Sequence, residues 1–200
     1  MTAKAGLRQH FLTLCQQIPP QKRQAASEKI AAAVYALPDF QTARCIASYA
    51  STETEVDTHT IHRLLRDDQT LALPRLTTAG QLTFHQVNTS TPLHTNRYGL
   101  LEPMDDPNTL LTLDQIDLFI IPMVAFRPTG ERLGRGAAYY DKTLSKLFLK
   151  KSTYLGVAFD WQCSNEIETD PWDISMDIIV TDCTTYDCRN SSISSENAPN

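Results

Sequence analysis

The chain has 200 residues, a length that fits one domain, and its content of 42% hydrophobic and 20% charged residues is that of an ordinary folded protein. Seven glycines and eleven prolines are too few for collagen or a low-complexity chain. The net charge of −5 argues against nucleic acid as a partner, because duplex binding needs a basic surface. A local basic pocket for a small phosphorylated ligand remains compatible with this charge.

No segment of the sequence predicts membrane insertion or secretion. The longest nearly apolar run, residues 118–126, is too short to span a bilayer and is interrupted by Pro122. The N-terminal residues lack the apolar stretch of a secretory signal. The five cysteines are an odd number with irregular spacing, which favours free thiols in a reducing cytoplasm, with an oxidised Cys183–Cys188 pair as the alternative. We therefore expect a cytoplasmic protein without a membrane partner.

Helices and strands alternate along the chain. Apolar residues at helical spacing predict helices from Leu7 to Ile18 and, after two prolines, from Ala26 to Leu37. Further on, the patterns predict strands at 44–50, 70–74, 81–87, 117–122, 153–159 and 176–180, and helices that begin near Thr58 and Tyr140. Residues 88–115 are interrupted by prolines and are interpreted as a long functional loop. This order predicts an α/β fold with a sheet between layers of helices.

The C-terminal residues differ in composition from the rest of the chain. Residues 189–200 are rich in serine and asparagine and contain almost nothing that a core could bury. We therefore expect one domain at residues 1–183 and a disordered tail at residues 184–200.

The chemistry is concentrated in residues 129–141, TGERLGRGAAYYD, which follow the 117–122 strand and precede a helix. Ligands of α/β proteins bind at the carboxyl ends of strands, and small residues let backbone N–H groups approach phosphate oxygens. Arg132 and Arg135 add forked donors suited to phosphate. A plain turn with solvated arginines is the alternative, which the concentration of arginines, tyrosines and an acid makes less favourable.

The segment GERLGRGAAYYDKTL resembles the signature of the 5-formyltetrahydrofolate cyclo-ligase family, also called 5,10-methenyltetrahydrofolate synthetases. Other segments resemble that family in the same order along the chain: STETEVDT, NRYGLLEP, IIPMVAF, GVAFDWQ and DISMDIIVTD. The resemblance extends from Lys4 to Asp182. It implies a single-domain, Rossmann-like three-layer α/β/α sandwich with a mostly parallel or mixed sheet.

The activity that the resemblance implies is an ATP- and Mg²⁺-dependent ring closure. ATP phosphorylates the formyl oxygen of 5-formyltetrahydrofolate, the second folate nitrogen attacks the formyl carbon, and phosphate leaves to give 5,10-methenyltetrahydrofolate. Such catalysis consists mainly of positioning and of neutralising phosphate charge. The alternatives are a non-catalytic folate- or nucleotide-binding relative, and a sugar-phosphate isomerase or acyl-CoA transferase, for which no competing motif is present.

The resemblance also implies roles for individual residues. The residues of this chain that it implies for ATP binding are Lys4, Arg8, Arg132, Leu133, Gly134, Arg135, Gly136, Ala137, Ala138, Tyr139 and Tyr140. Its folate-binding residues are Ala50, Glu55, Tyr98, Arg135, Gly136, Ala137, Ala138 and Tyr139, with Glu102 as a weaker candidate. Asp141 and Asp177 are the implied Mg²⁺ ligands, and Arg135, Tyr140 and Asp141 the implied catalytic residues.

Outside the resemblance, several of these residues have simpler explanations. Lys4 and Arg8 lie one turn apart on a surface helix, where cations serve solubility. Asp141 could favour a helix start, and Asp177 could be a strand-edge residue. The histidines have no metal-ligand spacing and are assigned no role. We expect a monomer, with a dimer left open.

One position departs from the family pattern, because this chain has Gly136-Ala137-Ala138 where relatives commonly carry G-x-G, so that Ala138 stands at the second glycine. A left-handed backbone at alanine costs about 1 kcal/mol. We expect either that Ala138 is not left-handed or that ligand affinity is altered.

Overall fold

The structure, a computed structural model, describes residues 3–146 and 152–189. Within these residues the helices are α1 (Ala3–Gln17), α2 (Pro20–Tyr35), α3 (Pro38–Thr42), α4 (Thr58–His62) and α5 (Tyr139–Leu144). The strands are β1 (Cys45–Ala47), β2 (Thr70–Leu76), β3 (Leu82–Val87), β4 (Leu93–Thr95), β5 (Leu101–Pro103), β6 (Leu110–Leu111), β7 (Leu118–Pro122), β8 (Ala125–Phe126), β9 (Arg132–Leu133), β10 (Thr153–Val157), β11 (Ile178–Val180) and β12 (Thr185–Asp187). Short 3-10 helices lie at Leu113–Gln115 and Asp160–Gln162.

The central sheet has eight strands in the order β12-β11-β10-β7-β1-β2-β3-β6. Strands β11, β10, β7, β1 and β2 are parallel. At one edge β12 pairs antiparallel with β11, and at the other β3 pairs antiparallel with β2 and β6 antiparallel with β3. The predicted α/β fold with a mixed sheet is confirmed.

Strand β7 is buried on both faces, because its side chains alternate between two clusters. Leu118 and Ile120 pack with the apolar faces of α2, α3 and α4. Phe119 and Ile121 pack on the opposite face with Leu144 of α5. Buried strands of this kind have continuous apolar sequences, as LFIIP does.

Helix α1 packs at the carboxyl end of the sheet rather than over its centre. Its Phe11 is buried against Val124, Ala125 and Leu133. This packing brings the first turns of α1 next to residues 129–141, called the glycine-rich segment below.

Two predicted segments differ from the structure. Residues 88–115 are not a plain loop, because β4 and β5 form a hairpin and β6 joins the sheet edge. Strand β12 pairs with β11 and Cys188 is buried, so the folded part continues beyond the predicted boundary at residue 183. Residues 147, 148 and 190–200, which include most of the predicted tail, lie outside the described residues.

All five cysteines lie within the described residues and are free in the structure, as the reading of free thiols predicted. Across residues 3–146 and 152–189, no helix is long and apolar enough to cross a membrane.

Candidate active site

A pocket of about 400 Å³ opens at the carboxyl ends of the parallel strands. It lies between β1 and β7, where the chain reverses its direction of strand addition, and such switch points are the usual ligand sites of α/β sheets. The lining residues come from strand ends, the β4–β5 hairpin and the glycine-rich segment: Tyr49, Ala50, Glu55, Pro74, Leu76, Leu82, Asn96, Tyr98, Leu100, Leu101, Glu102, Pro122, Met123, Arg132, Gly134, Arg135, Ala137, Ala138, Tyr139, Tyr140 and Asp141.

The glycine-rich segment runs from β9 to α5 and has an irregular backbone. Gly136 has a φ of 105° and Ala138 a φ of 53° with a ψ of 31°. Within the described residues, Ala138 is the only non-glycine residue with a positive φ. The left-handed alternative that the sequence raised for this alanine is therefore the one that occurs.

Replacing Ala138 by glycine should stabilise the protein. Glycine removes the Cβ penalty of about 1 kcal/mol at a left-handed position, part of which is offset by the greater freedom of glycine in the unfolded chain. We expect thermal unfolding at the same or a higher temperature, with activity intact or a lower KM for ATP.

Ala137→Gly is the matched control, since Ala137 has no positive φ and should lose about 0.5 kcal/mol on the same replacement. A loss of activity of tenfold or more in Ala138→Gly would contradict the expectation.

Arg132 and Asp141 form a buried ion pair in the pocket wall. Arg132 Nη2 donates to Asp141 Oδ1 at 2.7 Å, and the two side chains are 5% and 11% exposed. The same Oδ1 accepts the backbone N–H of Ile174 at 3.0 Å. Asp141 therefore orients Arg132 and attaches the 173–176 segment to α5.

Two further donors in this wall lack a protein partner. The Nε of Arg132 and the hydroxyl of Tyr140 are buried without a hydrogen bond. Burial raises the pKa of the Tyr140 hydroxyl well above its ordinary value, so this group stays protonated as a donor. Because buried donors normally find acceptors, both groups fit the oxygen atoms of a bound anion.

Arg135 joins the two sides of the pocket. Its Nη2 and Nε donate to Glu55 Oε1 at 2.9 and 3.1 Å, across 80 residues of sequence. The arginine side chain is 46% exposed and the glutamate 14% exposed. The glutamate predicted to bind folate and the arginine predicted to bind phosphate thus form one ion pair.

The two predicted cations of α1 contact the glycine-rich segment and its neighbours but do not line the pocket. Arg8 Nε donates to the carbonyl of Gly134 at 2.8 Å. Lys4 Nζ pairs with Asp170 and Asp173 at 2.6 and 2.9 Å. Both cations of this surface helix are therefore held by specific partners rather than being fully solvated.

Two residues of the predicted ATP-binding segment also lie outside the pocket lining. The side chain of Leu133 is buried in the core against Phe11, so only its backbone is available to a ligand. Gly136 faces Arg8, since a Cβ built on it would lie 3.5 Å from Arg8 Nε.

The predicted folate residues gather on the opposite side of the pocket. Ala50 lies just beyond β1, and Tyr98 lies in the turn of the hairpin, 53% exposed. The hydroxyl of Tyr139 donates to that of Tyr98 at 3.3 Å, which connects the glycine-rich segment to the hairpin.

Glu102 also lines the pocket, where it is buried. Its carboxylate accepts hydrogen bonds from Asn96 Nδ2 at 2.9 Å and from the N–H of Leu76 at 3.2 Å, and pairs with Arg75 at 3.4 Å. These contacts hold the hairpin against β2.

Sequence reasoning missed Asn96, whose Oδ1 accepts the N–H groups of Tyr98 and Leu100. The available signal was an asparagine three residues before Gly99, a spacing typical of a side-chain-stabilised turn.

The predicted pair of Mg²⁺ ligands is not brought together. Asp177 immediately precedes β11, at the amino end of the parallel strands, and its Oδ2 accepts the N–H of Tyr154 at 2.7 Å. Asp141 lies at the pocket, near the opposite ends of the strands. Among residues 3–146 and 152–189, no three His, Cys, Asp or Glu side chains are grouped to hold a metal ion. The two aspartates therefore do not fit one shared Mg²⁺ ion.

One histidine contacts a serine near the end of β1, a pair that the sequence did not predict. His62 Nε2 lies 2.8 Å from Ser48 Oγ. Ser48 is only 1% exposed, so the pair is structural rather than nucleophilic. Burial, assisted by His59, lowers the pKa of His62 to about 4 from its ordinary 6.5.

Stability should consequently fall as the pH drops from 6.5 to 4, because the unfolded chain gains a proton on His62 that the folded chain does not. The full effect is roughly 3 kcal/mol. Urea unfolding at pH 7 and pH 4.5 measures it. His62→Gln should reduce the difference between the two pH values, whereas an unchanged difference would remove His62 as its cause.

The profile of the 5-formyltetrahydrofolate cyclo-ligase family matches residues 1–182, nearly the whole chain. The chain belongs to this family. The cyclo-ligases are ligases, so the chain is an enzyme, and the family resemblance predicted from the glycine-rich segment is confirmed.

Named relatives cover most of the chain. The 5-formyltetrahydrofolate cyclo-ligase of Escherichia coli K12 is 32% identical over 167 residues, 82% of this chain and 92% of its own length. That of Saccharomyces cerevisiae is 30% identical over 180 residues, 78% of this chain and 84% of its own. The 5,10-methenyltetrahydrofolate synthetase structure of Aquifex aeolicus superposes with a TM-score of 0.82 at 27% identity, over 94% of each chain. These similarities support the cyclo-ligase fold over most of the chain.

Proposed function

We propose that this cyclo-ligase converts 5-formyltetrahydrofolate to 5,10-methenyltetrahydrofolate with ATP. The observation that carries the proposal is the ion pair between Arg135 and Glu55 in the pocket wall, because Arg135 is the side chain proposed to bind phosphate and Glu55 the one proposed to bind the pterin. A carboxylate accepts paired hydrogen bonds from the amino-pyrimidine edge of a pterin. A guanidinium matches phosphate oxygens.

In the proposed reaction the formyl oxygen attacks the γ-phosphorus of ATP and ADP leaves. The second folate nitrogen then attacks the formyl carbon, and the carbon–oxygen bond breaks with release of phosphate, which gives the methenyl bridge. Phosphorylation is needed because the oxygen of an amide-like formyl group is a poor leaving group.

Different residues of the pocket are proposed to contact the folate and the phosphoryl group. Glu55, Ala50, Tyr98 and Tyr139 are proposed to hold the folate, and Arg132, Arg135 and the hydroxyl of Tyr140 to face the transferring phosphoryl group. Donors preorganised in a partly dry wall stabilise developing phosphate charge, because they need not reorient during the reaction. Lys4 and Arg8 are proposed to reach ATP from the α1 side of the glycine-rich segment.

Mg²⁺ is proposed to accompany ATP, whose charge it would neutralise. Asp141 is the predicted ligand that lies at the pocket, and Asp177 is not included because of its position at the amino end of β11. No step of the proposed reaction depends on a protein-held metal ion.

The five free thiols support a reducing compartment, and we propose the cytoplasm. The residues that carry the proposal all lie on one chain, so a monomer would be sufficient.

The deciding experiment mixes the purified protein with 5-formyltetrahydrofolate, ATP and Mg²⁺ and follows the near-ultraviolet absorbance of the methenyl product. We expect an ATP-dependent increase and stoichiometric ADP. Folate binding without any ATP-dependent product would instead support a non-catalytic binding protein, and absence of both would contradict the proposal.

A further inference from the structure

Thr52 and Glu55 form a tight turn in the segment between β1 and α4. The N–H of Glu55 donates to the carbonyl of Thr52 at 3.1 Å. In return, Glu55 Oε2 accepts the N–H of Thr52 at 2.8 Å and its hydroxyl at 2.9 Å. This reciprocal pattern has the spacing of a capping box, Thr-x-x-Glu, although no helix follows at once. The turn therefore sets the position of the Glu55 carboxylate.

Thr52 also contacts the arginine that pairs with this carboxylate. Arg135 Nη2 donates to Thr52 Oγ1 at 3.0 Å. A hydroxyl has one donor and two acceptor positions, so the Thr52 hydroxyl can donate to Glu55 while it accepts from Arg135. The hydroxyl is thus the shared contact of the two residues that join the sides of the pocket.

The Glu55 carboxylate has no spare capacity in this arrangement. An ionised carboxylate accepts about four hydrogen bonds, and Glu55 accepts two from Arg135 and two from Thr52. A ligand that donates to Glu55 must therefore displace one of these partners. Arg135 is the side chain that can leave, since it is 46% exposed on an irregular segment, whereas Thr52 is joined to Glu55 by the turn.

We propose that Thr52 is a positioning residue for folate binding. Its N–H and hydroxyl hold Oε2 of Glu55, so that the pterin donors of 5-formyltetrahydrofolate replace Arg135 at Oε1 without reorienting the carboxylate. The released guanidinium then becomes available to the phosphoryl group. This inference rests on the proposed function.

The experiment compares Thr52→Val, which removes only the hydroxyl from a side chain of the same shape, with Thr52→Ser, which retains it. We expect Thr52→Val to weaken 5-formyltetrahydrofolate binding about tenfold, the effect of one lost hydrogen bond to a charged group. Binding is measured without ATP by calorimetry, and KM in the coupled assay should rise by a similar factor. Thr52→Ser should bind within about twofold of wild type, and the KM for ATP should be unchanged in both variants.

Thr54→Val is the matched control. Thr54 lies in the same turn, and among the described residues the side-chain hydrogen bonds to Glu55 come from Thr52 and Arg135 instead. Thr52→Ala is the second hydroxyl-free variant if Thr52→Val does not fold, and thermal unfolding identifies that case. Wild-type folate affinity in the hydroxyl-free variant, or equal defects in Thr52→Ser and Thr52→Val, would overturn the proposal. Failure of the proposed function would be distinguished by the wild-type protein, which would then make no methenyl product while the binding comparison remained valid.

Discussion

Arg135→Ala is expected to lower kcat about 1,000-fold, because the variant loses the guanidinium that is proposed to neutralise charge on the transferring phosphoryl group. The same replacement should hardly change stability. The Arg135–Glu55 ion pair is partly exposed, and pairs of this kind contribute less than about 1 kcal/mol. Steady-state kinetics and thermal unfolding of one preparation measure both quantities.

Arg66→Ala is a suitable control for the loss of an arginine, since Arg66 pairs with Asp68 on the surface away from the pocket. It should retain full activity. Arg135→Lys tests the geometry, because an ammonium keeps the charge but not the forked donors, and should recover only part of the lost kcat. Turnover of Arg135→Ala within tenfold of wild type would contradict the role of Arg135.

Asp141→Ala should abolish measurable turnover and also destabilise the protein. Asp141 is the buried partner of Arg132, and its removal leaves an uncompensated charge in the pocket wall. Breaking such a pair costs about 3 kcal/mol or more, which lowers the unfolding temperature on the order of 10 °C. Circular dichroism and the methenyl assay at 15 °C, where the variant remains folded, separate the two effects.

Asp177→Asn is the control for the other predicted metal ligand. The asparagine oxygen can still accept the N–H of Tyr154, so the variant should fold and retain kcat within about threefold. A loss as large as that of Asp141→Ala would show that Asp177 takes part in the reaction. The pair Arg132→Met with Asp141→Leu should regain stability without activity, since well-packed apolar residues can replace a buried ion pair.

Most of the sheet could be predicted because its parallel strands have apolar sequences such as LFIIP that are buried on both faces. The β4–β5 hairpin could not be predicted in the same way. Strand β4 is largely exposed, and the hairpin is stabilised by the hydrogen bond between Asn96 and Glu102, a contact that leaves no periodic pattern. Strand β12 was missed for a related reason, since TYD has no apolar run and pairs only at the sheet edge.

Some residues of the candidate site could likewise be predicted from the sequence, and others could not. The glycine-rich segment and Glu55 were identified by residue type and order, which a motif records directly. Asp177 was assigned to the site by its position in a motif, but the parallel direction of β11 places it at the amino end of the strand, away from the pocket. Thr52 was missed because its contacts depend on a turn between residues that are individually unremarkable.

By itself, the sequence determined the α/β class, the family and the segment proposed to bind phosphate, because apolar periodicity and local motifs are properties of neighbouring residues. Only the tertiary structure decided that Ala138 is left-handed, that Arg132 is paired with Asp141, and that Arg135 meets Glu55. The two ion pairs depend on which strand ends lie side by side in the sheet. The net charge of −5 therefore described the whole surface, while the arginines of one pocket were arranged by the folding of the chain.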